Sequence, residues 1–224
     1  MVRDRTLASS HDELTVHAPW LMHSLIVLML NVSTLKRFTL NSLLLFTIWV
    51  AVPLWVLHGA AVDASKFPNH YLIGQDTLTL RGIGLVRELF FIKVVTVALY
   101  VQDGTPVEQA LSDVGKRVEM ESFRTIPADD FTREAEIALA ENVPAATIDM
   151  LRPRVDQLHQ AYEDLKPGDR YALTYLPNSG THLELNGNPR VRIEGGDFAA
   201  AYFQVWLGDK PIHTKLKAQL LGGR

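Results

Sequence analysis

The distribution of charge divides this sequence into two unlike parts. Between Glu13 and Asp63 there is no acidic residue, and the only formally charged side chains are Lys36 and Arg37. After Asp63 acidic and basic residues are evenly mixed, which is typical of the solvated surface of a globular domain. A folded domain with an ordinary surface is therefore expected only in the second part, and the first part needs a different explanation.

The first part, residues 1–64, has the components of a secretory signal peptide. Lys36 and Arg37 stand before an apolar run at 43–57, and mostly small residues come after it at 59–64. A basic segment, an apolar segment of about 7–15 residues and a small-residue exit are the features that export machinery recognises. The pattern predicts that the chain after residue 64 faces an exported compartment.

Two alternatives concern how this leader is processed. Cleavage before Ser65 is expected, or earlier at the small residues Gly59 and Ala61, with the residues before Met22 or Met29 contributed by an over-extended start. The alternative is an uncleaved anchor, because the stretch at 38–57 matches the roughly 20 residues needed to cross a bilayer. In both cases one domain, residues 65–224, is expected to be periplasmic or secreted, and membrane contact is expected only through an uncleaved leader.

Composition excludes several classes of function. The chain is 47% hydrophobic and 21% charged with a net charge of −3, so neither disorder nor a nucleic-acid partner is expected. The absence of cysteine excludes disulfides, cysteine-ligated metals and thiol catalysis. The histidines after residue 64 lack the spacing of metal ligands, so we expect no metal and no resident cofactor. A single histidine as an axial ligand to a porphyrin stays open.

Hydrophobic periodicity and turn signals predict a mixture of strands and helices in residues 65–224. Strands are predicted at 71–80, 85–101, 116–124, 171–176, 182–185 and 190–194, and helices at 105–115, 129–142, 144–165, 198–207 and 211–221. Hairpins combined with runs of helices favour an α+β fold, in which an antiparallel β-sheet carries a layer of helices over one face.

Two motifs resemble those of a known family. The segment at 195–211, which reads GGDFAAAYFQVWLGDKP, resembles the chalcone isomerase-like family of bacterial exported proteins, and LKAQLLG at 216–222 fits the same pattern. The stretch GIGLVR at 82–87, followed by FFIK at 90–93, is similar to a pair of strands in that family. The resemblance covers roughly residues 66–222.

The resemblance implies an open-faced β-sandwich with an apolar cleft between sheet and helices, and it implies site residues. Arg87 takes the place of the arginine that stabilises an oxyanion in true isomerases, while Thr96 and Asn142 stand near the places of a hydroxyl and an amide. Where the isomerases carry a tyrosine, this chain has Ala135.

The expected function is that of an exported, non-catalytic domain. It would bind an apolar or amphipathic small molecule, such as a fatty acid, a flavonoid or a porphyrin, in the cleft, with Arg87, Phe91 and Tyr100 in contact with it. The alternative is an isomerase or lyase that performs an intramolecular Michael-type addition on an enone, with Arg87 stabilising the oxyanion. A third possibility is a partner-binding protein whose cleft is filled by its own side chains.

Overall fold

A single seven-stranded sheet forms the centre of the computed structural model, which describes residues 66–88 and 92–223. Each strand pairs antiparallel with the next one along the chain. The strands are β1 (His70–Ile73), β2 (Asp76–Glu88), β3 (Ile92–Gln102), β4 (Lys116–Ser122), β5 (Arg170–Leu176), β6 (Gly180–Leu185) and β7 (Asn188–Ile193). The predicted antiparallel sheet is thus confirmed.

Two of the predicted strands are each divided between two strands of the sheet. The stretch predicted as one strand at 71–80 is a hairpin, because β1 ends at Ile73 and β2 begins at Asp76. The stretch predicted at 85–101 likewise belongs to two strands, since β2 ends at Glu88 and β3 begins at Ile92. Both stretches are rich in β-forming residues, so propensity alone did not locate the reversal.

Five helices accompany the sheet in the described part of the chain. They are α1 (Ala128–Asn142), α2 (Ala145–His159), α3 (Gly196–Tyr202), α4 (Gln204–Leu207) and α5 (Thr214–Leu220). α1 has Asp129 and Asp130 in its first turn, where carboxylates favour the positive end of the helix dipole. It ends at Asn142. Val143 has an extended backbone, because the proline that follows it disfavours helical geometry at this position. No helix in the described part of the chain is long and apolar enough to cross a membrane.

The helix predicted at 105–115 is wrong. Only a single 3-10 turn, Val107–Gln109, forms there, and no side chain caps it. The backbone amide of Gln102 donates to the carbonyl of Gly115 at 2.8 Å, which holds the two ends of this connection side by side. An eleven-residue helix would separate them by about 15 Å, so the sheet pairing excludes it.

The two faces of the sheet are covered differently. Alternate residues of β3, Val97 and Leu99 among them, pack in one large core with the helices. The intervening residues Ala98 and Tyr100 belong to a second, smaller cluster with Phe67 and other side chains on the opposite face. The predicted α+β architecture, with helices over one face of an antiparallel sheet, is therefore confirmed.

The two glycines of the GIGLVR motif bring a helix onto the sheet. A Cβ at Gly82 would lie 2.2 Å from the carbonyl oxygen of Gln219, and one at Gly84 would lie 2.4 Å from Leu216 Cδ1. α5 can approach β2 this closely only because both positions lack a side chain. The Gln219 side chain also accepts a hydrogen bond from the Leu85 amide at 3.3 Å. The motif therefore serves packing.

Candidate functional site

An apolar groove lies within the helix layer, between α1, α2 and α3. It holds about 210 Å³ of empty space, but no part of that space is wide enough for a water molecule. The groove is therefore too narrow to admit water in this conformation. Its lining residues are Leu139, Val143, Ile148, Leu151, Val155, Phe198, Ala201 and Tyr202.

The apolar groove results from the spacing of side chains on its helices. Ile148, Leu151 and Val155 recur at three- and four-residue steps, so they share one face of α2. Across from them, α3 presents the methyl group of Ala201 beside the ring of Tyr202. A short side chain at this position leaves space that a larger residue would fill.

A polar depression opens to solvent between α1 and α2. Its volume is about 410 Å³. The side chains that line it are Thr132, Arg133, Glu136, Asp156, His159 and Gln160. In contrast to the apolar groove, this depression is open to solvent and carries ionisable groups on both helices.

One chain of contacts joins the polar depression to the apolar groove. His159 Nε2 lies 3.2 Å from the Tyr202 hydroxyl, which lies 3.3 Å from the Tyr162 hydroxyl. On the solvent side, His159 Nδ1 is 3.4 Å from Glu136 Oε1, which accepts a 2.6 Å hydrogen bond from Arg152. His159 belongs to the depression and Tyr202 to the groove, so the two spaces meet at this contact.

The protonation states along these contacts result from burial. Burial lowers the pKa of His159 below its usual value, against the opposing influence of Glu136 and Asp156, and burial raises the pKa of Tyr202 well above its usual value. At neutral pH the imidazole is therefore uncharged and the phenol keeps its proton. The Tyr202 hydroxyl can then donate a hydrogen bond to Nε2 of the uncharged ring.

The opposite face of the sheet carries a largely buried row of alternating charges. In order along the row they are Glu184, Arg117, Glu119, Arg170, Glu121 and Lys66. The four N–O distances from Arg117 and Arg170 to the three glutamates range from 2.5 to 3.1 Å, and Lys66 contacts Glu121 at 2.5 Å. The glutamates of β4 alternate with Val118 and Met120 as the sequence predicted, but Glu119 is fully buried.

The charged groups of this row are paired with one another and stacked against aromatic side chains. The Arg117 guanidinium stacks 4.5 Å from the Tyr71 ring, and that of Arg170 lies 4.7 Å from the Phe67 ring. Burial and a hydrogen bond to Glu119 raise the pKa of Tyr71 to about 12, so its phenol stays protonated. The row carries three charges of each sign, which makes it a structural element and not a site for an external charge.

The structure places two of the predicted site residues, Thr96 and Tyr100, on this same face of the sheet. Both alternate in β3 with Val97 and Leu99 of the main core, and their exposed fractions are 3% and 0%. Arg87 is an exposed residue of β2, beside a register shift between Val86 and Arg87 in the pairing with β3. Among the described residues the Tyr100 hydroxyl has no hydrogen-bond partner.

Asn142 lies in the helix layer, apart from those three residues. Its side-chain amide donates to the carbonyls of Ala138 and Lys210, both at 2.7 Å, and its Oδ1 accepts from the Lys210 amide at 2.8 Å. These bonds tie the end of α1 to the loop after α4. Phe91 lies outside the described residues.

The sequence pattern did not predict the cluster of His159, Tyr162 and Tyr202, because the histidines after residue 64 lack the spacing of metal ligands. The one available signal was the place of His159 at the end of the apolar face formed by Ile148, Leu151 and Val155, where a polar residue continues an apolar face. No group of histidine and carboxylate side chains in the described part of the chain could hold a metal ion.

Comparison with known proteins agrees with the resemblance seen in the sequence. The chain matches the chalcone isomerase-like family over residues 59–222. No curated protein matches it significantly. Among solved structures, a fatty-acid binding protein of Arabidopsis thaliana is similar at 14% identity with a TM-score of 0.51, over 69% of this chain and 90% of that one. The likeness to that structure concerns the fold.

Proposed function

Because the chain belongs to the chalcone isomerase-like family, we propose that it is a non-catalytic protein that binds one apolar or amphipathic small molecule. The apolar part of the ligand occupies the apolar groove, and its polar end occupies the polar depression. The contact of 3.2 Å between His159 and Tyr202 carries this proposal, because it places the lining of the polar depression directly against the lining of the apolar groove.

Ligand entry requires the apolar groove to widen, and α2 contains a point at which it can bend. Pro153 lies inside α2 and has no N–H, so it cannot make the helical hydrogen bond to the carbonyl of Asp149. The groove residues Leu151 and Val155 stand on either side of it. Bending at Pro153 would move Val155 away from α3, while the Arg152–Glu136 ion pair at 2.6 Å holds the helix closed in the absence of ligand.

The energy of burial is sufficient for binding without catalysis. A tail that buries about 300 Å² of apolar surface gains about 7 kcal/mol at roughly 25 cal/mol per Å². The cost of ordering the ligand and separating the helices is subtracted from this gain. The net affinity is therefore weaker than the roughly 10 μM that the burial gain alone would give.

Two observations favour binding over the isomerase alternative. The amide of Asn142 is engaged in three hydrogen bonds within the protein, and Thr96 is buried on the face of the sheet away from the helix layer. The structural neighbour is named as a fatty-acid binding protein, which supports a binding role for this fold. The proposal places the ligand in the helix layer, whereas the family resemblance implied contacts with Arg87, Phe91 and Tyr100.

Filling the apolar groove tests the proposal. Ala201→Leu adds three carbons to the groove lining, and we expect it to weaken binding of the apolar dye Nile red at least tenfold in a fluorescence titration. The matched control is Ala200→Leu, which adds the same side chain to an exposed position of α3. Failure of the wild-type chain to bind the dye, or equal affinity of the two variants, would refute the proposal.

We also propose that the chain is exported and cleaved before Ser65. The support is the basic pair, apolar run and small-residue exit in residues 36–64, which lie outside the described residues. Intact-mass measurement on protein recovered from the exported fraction should give a chain that begins at Ser65. A chain that keeps residues 38–57 would show instead that the segment is an anchor.

A further inference from the structure

Two large apolar side chains are exposed on neighbouring strands at one end of the sheet. Ile92 begins β3, and Phe123 follows directly after β4. The Phe123 amide donates to the Val94 carbonyl at 2.9 Å, so the two strand ends lie side by side. The exposed fractions of Ile92 and Phe123 are 39% and 38%. We call these two residues and the cations beside them the end patch, which consists of Arg87, Ile92, Lys93, Phe123 and Arg124.

Two cations face each other across the strands of the end patch. Arg87 of β2 and Lys93 of β3 are register partners. Like charges directly opposite each other on adjacent strands destabilise a sheet, and an external anion beside them would offset that cost. The Lys93 ammonium also lies 5.4 Å from the centroid of the Phe123 ring, so positive charge and exposed apolar surface are in contact.

The end patch itself carries more positive than negative charge. Arg124 pairs with Glu88 at 2.7 Å, and Arg87 and Lys93 add two further cations. Residues 89–91, outside the described part of the chain, read LFF and add no charge. An anionic surface is therefore the favoured partner for this strand end.

The charges around the end patch do not reverse this excess at the strand ends. The charge row is balanced, and the turn at 166–169 carries one lysine and one aspartate. The acidic side chains at the start of α1 lie beyond Ile126, which is buried. Asp130 pairs there with Arg133 at 2.6 Å, and Asp164 accepts a hydrogen bond from the Ala128 amide at 2.9 Å.

The chain enters the domain at the same end of the sheet. Arg170 donates to the backbone carbonyl of Lys66 at 3.0 Å, and the Lys66 ammonium contacts Glu121, two residues before Phe123. The eight residues 58–65 separate Lys66 from the apolar run and reach about 26 Å when extended. An uncleaved leader would therefore keep this end of the sheet near the bilayer, and a cleaved one would leave an α-amino group beside it.

From the exposed apolar pair, its cations and the point of chain entry, we infer that the end patch docks on the surface of a bilayer that contains anionic phospholipids. Ile92 and Phe123 enter the boundary between head groups and acyl chains, and Arg87 and Lys93 meet lipid phosphates. Long basic side chains suit this place, because their stems cover apolar surface while their charged ends stay with water and phosphate. This docking does not require a ligand in the apolar groove.

Single cysteines test the docking, because the chain has no cysteine of its own. Ile92→Cys and Leu72→Cys are each labelled with the fluorophore NBD in the full-length chain. Leu72 is the matched control, since it is a 75% exposed aliphatic residue at the opposite end of the sheet. It pairs with Thr77, whose carbonyl accepts from the Asp103 amide just after β3 ends.

The measurement is fluorescence with vesicles of phosphatidylglycerol and phosphatidylcholine. The label at Ile92 should gain intensity and be quenched by a nitroxide-labelled lipid, whereas the label at Leu72 should do neither. Vesicles of phosphatidylcholine alone should give little quenching. Because the labels report which end of the domain meets the bilayer, the comparison holds whether or not the leader inserts.

Variants of the chain labelled at Ile92 identify the groups responsible. Lys93→Ala should lower the ratio of quenched to unquenched label about fivefold, the effect of one basic residue near an anionic surface. Phe123→Ser should lower it too, while its affinity for Nile red stays at the wild-type value. Lys210→Ala is the matched control, because Lys210 is an exposed lysine beside Glu141 at the far end of α1.

Each outcome decides for or against the docking. Equal quenching of the labels at Ile92 and Leu72, or quenching of neither in chains that circular dichroism shows to be folded, overturns it. Contact that is as strong on phosphatidylcholine alone, or that survives both Lys93→Ala and Phe123→Ser, also overturns it.

A change of the label at Ile92 that grows with protein concentration without vesicles would assign the end patch to a second copy of the chain, and so overturn membrane docking. Quenching that is confined to Ile92, requires anionic lipid and falls in both patch variants but not in Lys210→Ala supports the docking. Loss of docking with unchanged Nile red binding leaves the proposed function standing.

Discussion

Lys116 is a buried lysine between the sheet and the helix layer, and its removal should change how stability depends on pH. Its side chain is 1% exposed, its ammonium donates to the Ser112 carbonyl at 2.6 Å, and it lies 5.3 and 5.5 Å from the rings of Tyr175 and Phe203. Burial lowers the pKa of Lys116 to about 8 from 10.5, although Asp113 opposes this. The perturbation is Lys116→Met, which keeps the length of the side chain and removes the charge.

The size of the change in stability with pH is set by the gap between the pKa of Lys116 in the folded chain and its ordinary value in the unfolded chain. Between about pH 8 and pH 10.5 the unfolded chain binds a proton at this lysine and the folded chain does not. Stability of the wild type therefore rises with pH across this window, and below it the protonated lysine costs the folded state about 3 kcal/mol, at about 1.4 kcal/mol per pH unit. The variant has no such contribution.

Urea unfolding followed by far-ultraviolet circular dichroism measures this difference. The free energy of unfolding of the wild type, minus that of Lys116→Met, should rise by about 3 kcal/mol from about pH 8 to about pH 10.5. Tyrosines such as Tyr162, whose pKa burial raises to about 12, lower stability above pH 10 in both proteins and cancel in the difference. Lys215→Met removes an exposed lysine and should keep the wild-type dependence. A constant difference across the window would refute the reasoning.

Three further predictions concern stability and gating. Glu119→Gln removes the centre of the charge row and leaves Arg117 and Arg170 without their shared partner. It should lower the free energy of unfolding in urea by about 3 kcal/mol. The control Glu134→Gln, on the exposed face of α1, should lower it by under about 0.5 kcal/mol. Asn142→Ala removes the bonds between α1 and Lys210 and should cost about 1–3 kcal/mol without altering Nile red affinity; a large loss of affinity would contradict its structural role. Pro153→Ala restores a helical hydrogen bond, so stopped-flow fluorescence should show slower dye association; an unchanged rate would exclude bending of α2 as the entry step.

Much of the fold was accessible from local sequence patterns. The strands predicted at 171–176 and 182–185 correspond to β5 and β6, and Asn178 and Gly180 in the turn between them adopt positive φ values of 67° and 84°. The helix predicted at 129–142 corresponds to α1 within one residue. These signals act over a few residues, and a local pattern is sufficient to read them.

Signals that depend on distant partners were misread or missed. Thr105 and Pro106 have the pattern of a helix start, but the pairing of Gln102 with Gly115 imposes a short connection. Strand alternation predicted that Glu119 faces away from Val118, yet it does not indicate whether that face is covered. The burial of Glu119 depends on side chains from other strands, Arg170 and Tyr71 among them.

The candidate site likewise combines a feature that follows from local sequence with one that depends on a distant partner. The apolar stripe of α2 was predictable because residues three and four apart share a helix face. The contact of His159 with Tyr202 joins residues 43 positions apart, and it exists only because α2 and α3 pack against one another. Position in the sequence therefore gave no means of recognising the polar depression.

By itself, the sequence determined the partition of charge, the α+β class, the family and the alternation of each strand. All of these depend on composition, on short motifs or on periodicities of two and 3.6 residues. The tertiary structure alone decided that Asn142 serves as a tie within the helix layer, that Glu119 is buried, and that the apolar groove meets the polar depression at His159. Which faces come together depends on packing between elements, and the spacing of apolar residues within one helix or strand does not determine which element packs against it.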